Sequence, residues 1–600
     1  MTASTLSLWS LHVLLLCLCC RCSVPSAIVN TTYGPVKGSV ISLSTNKTVI
    51  TYLGIPFAKA ERFEYPVPPD KWTSTLQANK TDKICPQPSL PGQPSRLSLM
   101  SEDCLLLNVY VPGNATNNSQ LAVMLWIHGG AYIIGDTLFY DGSLLATEGN
   151  VIVVTAAYRL GVFGFLSSYS DNLKGNYGML DQIAAMKWVN KNIERFGGDS
   201  RKVTIFGESV GGMNVALLLL SPLASGLYQN VIIQSGTAVT LSALFEKDEA
   251  ELRARSFAEN VGCEMASLKA CAKKKSFQDL SSAQLKVFDY LNFFRFAPVV
   301  DGYFMPDSPI KLLKAGKFNK SNVMIGFTRD DGTVFANGFP GVMPALDLSK
   351  GMSRNLFVDV IKNRTWTRNQ NSRILDLLIY EYTDWSNATD PYLLRQQFID
   401  MNTDANFKAP AIQSANEFVK KESSTYLYQL EMAPKRFSRS LLPIPSWWGI
   451  FHGADMAYTF GFPLLMPKNF TTTAEINFSK EMMTIWANFA KTGNPNRPTP
   501  LRTSWPQYTA ERGEYMGLSS NMTVRYKMRP NKMALWNVFL PSFAETVKPT
   551  TRSDVLTTTR KADDKKDDIT MVPAILIGVF VALAVILLFT IFNRSRIKND

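Results

Sequence analysis

Thr204-Ile205-Phe206-Gly207-Glu208-Ser209-Val210-Gly211-Gly212 is the stretch on which the reading of this chain turns. Residues 202–206 read as a short β-strand and residues 213–220 as an apolar helix, with G-x-S-x-G at the sharp turn between them. Glycine has a physical reason to be there. A Cβ at Gly207 or Gly211 would collide with neighbouring backbone, and the tight turn lifts the Ser209 hydroxyl clear of the sheet, above the N-terminus of the next helix. A bare G-x-S-x-G arises often by chance, and a glycine-rich turn is the plain alternative. The flanking strand and helix give this one its weight.

A serine hydroxyl is a poor nucleophile at neutral pH and needs a base within hydrogen-bond reach. The 600 residues contain three histidines. His12 lies in an N-terminal apolar run, and His128 sits upstream in Trp126-Ile127-His128-Gly129-Gly130-Ala131-Tyr132. His452, in Phe451-His452-Gly453-Ala454-Asp455, remains as the candidate base, and it fits a chain order of nucleophile, acid, histidine. The acid must then fall between residues 209 and 452, to hold the imidazole tautomer and stabilise the imidazolium. Asp331, in Arg329-Asp330-Asp331-Gly332, follows an apolar run and so sits just past the C-terminal end of a strand, where catalytic groups gather in open α/β sheets. Asp330 competes with it, and an ordinary Asp-Gly turn is the non-catalytic alternative.

Further stretches carry a resemblance. They are Glu102-Asp103-Cys104-Leu105, the segment around His128, residues 158–165, residues 176–182, Phe196-Gly197-Gly198-Asp199, residues 298–302 and Trp486-Ala487-Asn488-Phe489. Together with the serine turn, over roughly residues 28–540, the chain resembles the type-B carboxylesterases of the carboxylesterase/cholinesterase family. The resemblance implies an α/β-hydrolase fold, a large, mostly parallel central sheet flanked by helices. It implies a serine esterase with Ser209 as nucleophile, His452 as base and Asp331 as acid, where most relatives carry the longer glutamate. The shorter side chain requires either a closer backbone or a longer contact to His452. The oxyanion hole would be the N–H groups of Gly130, Ala131 and Val210; Ala131 and Val210 are bulkier than the family's usual glycine and alanine. Proximity and family likeness pair Cys85 with Cys104 and Cys263 with Cys271. A homodimer and a cell-surface protein partner are open expectations, because some family members are adhesion proteins that have lost catalysis. Retention of serine, histidine, acid and oxyanion segment together favours the enzyme. The ligand is then a small ester, with no cofactor. Cholinesterases hold their substrate's cation on a tryptophan in the loop that corresponds to Cys85–Cys104. Here that loop has no aromatic residue and carries Arg96, whose charge repels a cation. Phe294 and Phe296 are expected either along the acyl side or in the core.

The chain ends predict where the chemistry happens. Residues 1–27 read as a signal peptide, an apolar run followed by small residues. Residues 28–541 form the catalytic domain. Residues 542–570, rich in Thr, Lys and Asp, read as a stalk, 571–592 as a membrane-spanning helix, and 593–600 as a basic cytoplasmic tail. A glycolipid-anchor signal is the competitor at this end. The expected product is a single-pass type I membrane protein with its catalytic domain extracellular or lumenal. Four of the eight cysteines lie in the leader, and eleven N-x-S/T sequons stand between Asn30 and Asn521. The formal charge of +13 is spread without an arginine/aromatic cluster, which argues against nucleic-acid binding. Histidines in separate motifs give no metal-ligand set.

Overall fold

The computed structural model describes residues 27–89, 96–170, 173–240, 243–287, 294–336, 348–364, 371–434, 444–467 and 469–542. The leader, nearly all of the stalk, the apolar run at 571–592 and the tail lie outside the described residues.

Among the described residues, eleven strands make the main sheet. In chain order they are β1 (Ser39–Ser42), β2 (Thr48–Pro56), β3 (Leu106–Pro112), β4 (Leu121–Ile127), β5 (Ile152–Ala156), β6 (Gly198–Glu208), β7 (Asn230–Gln234), β8 (Asn322–Thr328), β9 (Thr425–Leu430), β10 (Glu514–Leu518) and β11 (Thr523–Tyr526). Across the sheet the order is β11-β10-β9-β8-β7-β6-β4-β5-β3-β2-β1. From β10 to β5 every pairing is parallel. The edges are antiparallel: β11 on β10 at one side, and β3, β2 and β1 at the other. The sheet is therefore mixed, with a parallel middle.

The parallel middle is covered on both faces, as βαβ crossovers require. Along β4 the alternation can be followed residue by residue. Val123, Leu125 and Ile127 enter one core with the helix α1 (Tyr177–Asn192). Met124 and Trp126 enter the other, with Met482, Trp486 and Phe489 of a second helix (Thr473–Thr492). That second helix starts at a capping box in which Thr472 and Glu475 satisfy each other's backbone N–H groups. A third, smaller cluster joins the helices between residues 348 and 403 to Leu535.

Several of the stretches that carry the family resemblance hold these layers together. Arg159 and Asp181, both buried, form a two-pronged ion pair at 2.8 Å in each arm, and the Arg159 N–H adds a third bond. The Asn176 amide exchanges two bonds with the Val299 backbone, at 2.8 and 2.9 Å. Both disulfides are formed, Cys85–Cys104 and Cys263–Cys271. Arg62 ties the first loop to the segment just past the second, pairing with Glu102 and donating to the Ala272 and Lys275 carbonyls.

Candidate active site

Strand β6 runs on through Glu208, three residues past Thr204-Ile205 and longer than its apolar stretch suggests, and the helix α2 (Val210–Leu220) begins at the next residue but one. Ser209 is the hinge between them, at φ 58° and ψ −126°, a conformation that an L-residue holds only under strain. The two glycines permit the turn. A Cβ on Gly207 would lie 2.5 Å from the Gly211 backbone, and one on Gly211 would lie 2.1 Å from the Ile127 carbonyl. Every residue of α2 is buried, so the helix cannot drift and the serine stays where the strand end puts it.

The neighbouring strand ends bring the acid. Asp331 lies three residues past β8 and is fully buried. Its Oδ1 is 2.8 Å from His452 Nδ1, while its Oδ2 accepts from the Ser235 hydroxyl and the Thr328 N–H, each at 2.9 Å. The shorter acid reaches the histidine because the two loops are bridged. Asp330 pairs as a one-residue parallel bridge with Phe451, its N–H donating to Ile450 O and its Oδ2 accepting from the Ile450 N–H at 2.7 Å. The backbone is drawn in and the contact stays short. Asp330 itself pairs with Arg329 at 2.8 Å; its role is to hold the loops, and Asp331 alone of the two carboxylates meets the imidazole.

The other side of His452 was not anticipated. Its Nε2 lies 3.3 Å from Glu208 Oε1 and makes no hydrogen bond to Ser209. Glu208 is buried, and burial pushes its carboxyl up to about 8. Burial works to lower His452, but the Glu208 charge and the Asp331 bond outweigh it and raise the imidazole to about 9. A third buried carboxylate, Asp455, is three residues beyond the histidine. It accepts from Gln234 at 2.8 Å and Tyr428 at 3.1 Å, and burial raises it to about 6. Gln234 in turn accepts from the Trp486 indole, which explains the tryptophan of Trp486-Ala487-Asn488-Phe489. Glu208 is the residue immediately before the serine, and adjacency was the signal that could have found it. Asp455 offered only a His-x-x-Asp spacing.

Beside the serine, His128-Gly129-Gly130-Ala131 follows β4 directly. Gly130 and Ala131 both have positive φ, at 114° and 56°. Among the described residues, the N–H groups of Gly130, Ala131 and Val210 donate to no protein acceptor. A Cβ on Gly129 would come within 2.6 Å of Glu208 O and 3.1 Å of Ser209 Cβ, so this loop packs against the serine turn. His128 is a support: its ring stacks on Tyr158 at 4.3 Å, and the Tyr158 hydroxyl donates to its carbonyl.

One sequence-based detail changes. Arg96 does not present a free charge, because it pairs with the buried Asp136 at 2.7 Å and lies over Phe139. Phe294 and Phe296 are both buried, the first against Tyr132 and the second against Phe257. Among the described residues no group of His, Cys, Asp or Glu is placed to hold a metal ion.

The sequence model of the carboxylesterase family matches residues 25–536. An acetylcholinesterase of Bungarus fasciatus is 35% identical, covering 89% of this chain and 90% of its own length. One from Danio rerio is 33% identical, over 86% of this chain and 89% of its own. Neuroligin-3 of Mus musculus is 32% identical over 86% of this chain and 69% of its own. On this span and this sheet, the chain belongs to the carboxylesterase family.

Proposed function

We propose that the protein is a serine hydrolase that cleaves small, uncharged carboxylic esters through an acyl-enzyme. The observation that carries the reading is the 2.8 Å contact of His452 Nδ1 with Asp331, placed beside a serine held on a strained strand-to-helix turn. With Nδ1 donating to Asp331, Nε2 is the basic nitrogen. It takes the Ser209 proton as Oγ bonds the ester carbon, then returns it to the departing alkoxide. Charge that develops on the carbonyl oxygen meets the N–H groups of Gly130, Ala131 and Val210, which are worth most because they are already oriented. For this sequence Nε2 must exchange its Glu208 contact for Ser209. The proposed chemistry uses no cofactor. Ser209→Ala should abolish hydrolysis of an aryl ester while folding and delivery are unchanged; an Ala variant that keeps most of its activity refutes the reading.

One observation favours a second reading, a cell-surface adhesion protein in which catalysis is secondary: His452 Nε2 faces Glu208, and the serine lacks its hydrogen bond. A folded ectodomain without aryl-esterase activity would support it.

We also propose a type I topology, with the catalytic body outside the cytosol, residues 542–570 as stalk and 571–592 as anchor. The support is the uncharged run at 572–592, long enough at about 1.5 Å per residue to cross a hydrocarbon core, followed by basic residues. Truncation after Ala544 should release a soluble, active esterase. Continued membrane retention would mean that another anchor exists.

A further inference from the structure

Among the eleven sequons one differs from the rest. Only Asn387 has an aromatic residue two positions before it, in Trp385-Ser386-Asn387-Ala388-Thr389. The segment is a tight turn after a helix (Ser372–Glu381). The Asp384 carboxylate accepts from the Ser386 N–H at 3.0 Å and from its hydroxyl at 2.6 Å, and the Asn387 N–H donates to the Asp384 carbonyl at 3.1 Å. The turn sets Trp385 and Asn387 on an exposed corner, and both are open to solvent.

Trp385 is 57% exposed and yet fixed. Its indole N–H donates to the Tyr380 carbonyl at 3.1 Å, and the Arg354 guanidinium lies 5.5 Å from its ring centre. Arg354 is in turn tied to Thr383 at 2.6 Å. The Tyr380 ring, 59% exposed, stands 5.6 Å away at 38° and extends the aromatic surface. A large indole left in water forgoes the stabilisation that burial would bring, and one held rigid in water is built to meet something. A pyranose ring suits it: one face of the sugar carries C–H groups that pack on an aromatic ring, while its hydroxyls stay hydrated.

We propose that Asn387 carries an N-linked glycan whose first N-acetylglucosamine packs on Trp385, locking the turn and covering the Trp385–Tyr380 surface. In the transfer, the Asn387 carboxamide nitrogen bonds to C1 of the sugar of a lipid-diphosphate-linked oligosaccharide. The bond from C1 to the phosphate oxygen breaks, the lipid diphosphate leaves with the electron pair, and one amide proton passes to a base of the transferase. Asn319 supplies the contrast. Its amide N–H group donates to the Ser221 carbonyl at 2.9 Å inside the fold, so it is closed to the same chemistry.

The inference rests on the lumenal topology proposed above, and the test separates the two. The full chain is expressed in animal cells, and each sequon is scored by mass spectrometry after amidase release of glycans in ¹⁸O water. Asn387 should be occupied and Asn319 bare. Deuterium exchange over residues 380–390 is then compared between the glycosylated chain and Asn387→Gln, in wild-type, Trp385→Phe and Trp385→Ala backgrounds. Loss of the sugar should speed exchange about two- to twelve-fold where an aromatic ring remains, the worth of one ring-face contact, and not at all in Trp385→Ala. A bare Asn387 on a chain whose other sequons are occupied overturns the site. Equal sugar-dependent protection in Trp385→Ala overturns the contact. A chain with no occupied sequon overturns the site and the topology together.

Discussion

Replacing Glu208 by glutamine should shift the pH dependence of catalysis downward. Glu208 Oε1 is 3.3 Å from His452 Nε2, and a negative charge there stabilises the imidazolium. Unit charges at that separation interact by about 5 kcal/mol at an effective dielectric near 20, which is an upper bound. Only part of it appears in a midpoint, because the two groups share protons over the same range: Glu208 stands at about 8 and His452 at about 9. Glutamine keeps the shape and removes the charge, leaving Asp331 in place. The acid limb of kcat/KM, measured with a neutral aryl ester between roughly pH 5.5 and 9.5, should fall by about 1–2 pH units toward the ordinary histidine value. In wild type that limb should lie well above 6.5. A midpoint that stays put or rises in Glu208→Gln refutes the electrostatic account of the site.

Other outcomes follow from the same contacts. Asp331→Asn should cost on the order of 10⁴-fold in turnover, whereas Asp330→Asn, which loosens the Arg329 and Ile450 contacts, should cost far less; the reverse ranking moves the acid to Asp330. Glu208, Asp455 and His452 keep protons in the folded state that the unfolded chain has already released, at about 8, 6 and 9. Stability should therefore fall as pH rises from about 4 to 9, with a shallower upper part in Glu208→Gln, and a melting temperature that climbs over this range contradicts it. Acetylcholine should have no advantage in kcat/KM over its neutral carbon isostere, since the Cys85–Cys104 loop offers no aromatic face. Arg96 is neutralised by Asp136 and adds no repulsion, so the missing ring alone sets this expectation. A preference of about ten-fold or more for the cation, the size of a cation–π contact, would refute it.

What was legible in the sequence was local. The serine turn needs Gly207 and Gly211 within a few residues of Ser209, and the structure shows the collisions that exclude any larger side chain there. Asp331 was legible as a carboxylate past an apolar run for the same reason. The antiparallel edges of the sheet were not, because pairing direction depends on partners far along the chain, such as β2 against β3. Nor was the ring of carboxylates around His452. Glu208 turns toward the histidine, with its Oε1 3.3 Å from His452 Nε2, across a separation of 244 residues that no local pattern reports. Asp455 is fixed through Gln234 and Trp486, residues 221 and 252 positions apart from their partners. Arg96 read as a free charge because Asp136 lies 40 residues away. Composition carries no trace of such pairings.

The central claim, that Ser209 is a nucleophile activated by His452, is tested most directly by covalent labelling of the folded ectodomain with a fluorophosphonate, read by intact mass and peptide mapping. The account predicts one adduct per chain, on the peptide bearing Ser209, absent in Ser209→Ala and greatly slowed in His452→Ala. A folded wild-type ectodomain that takes no label, or takes it on another residue, would contradict it.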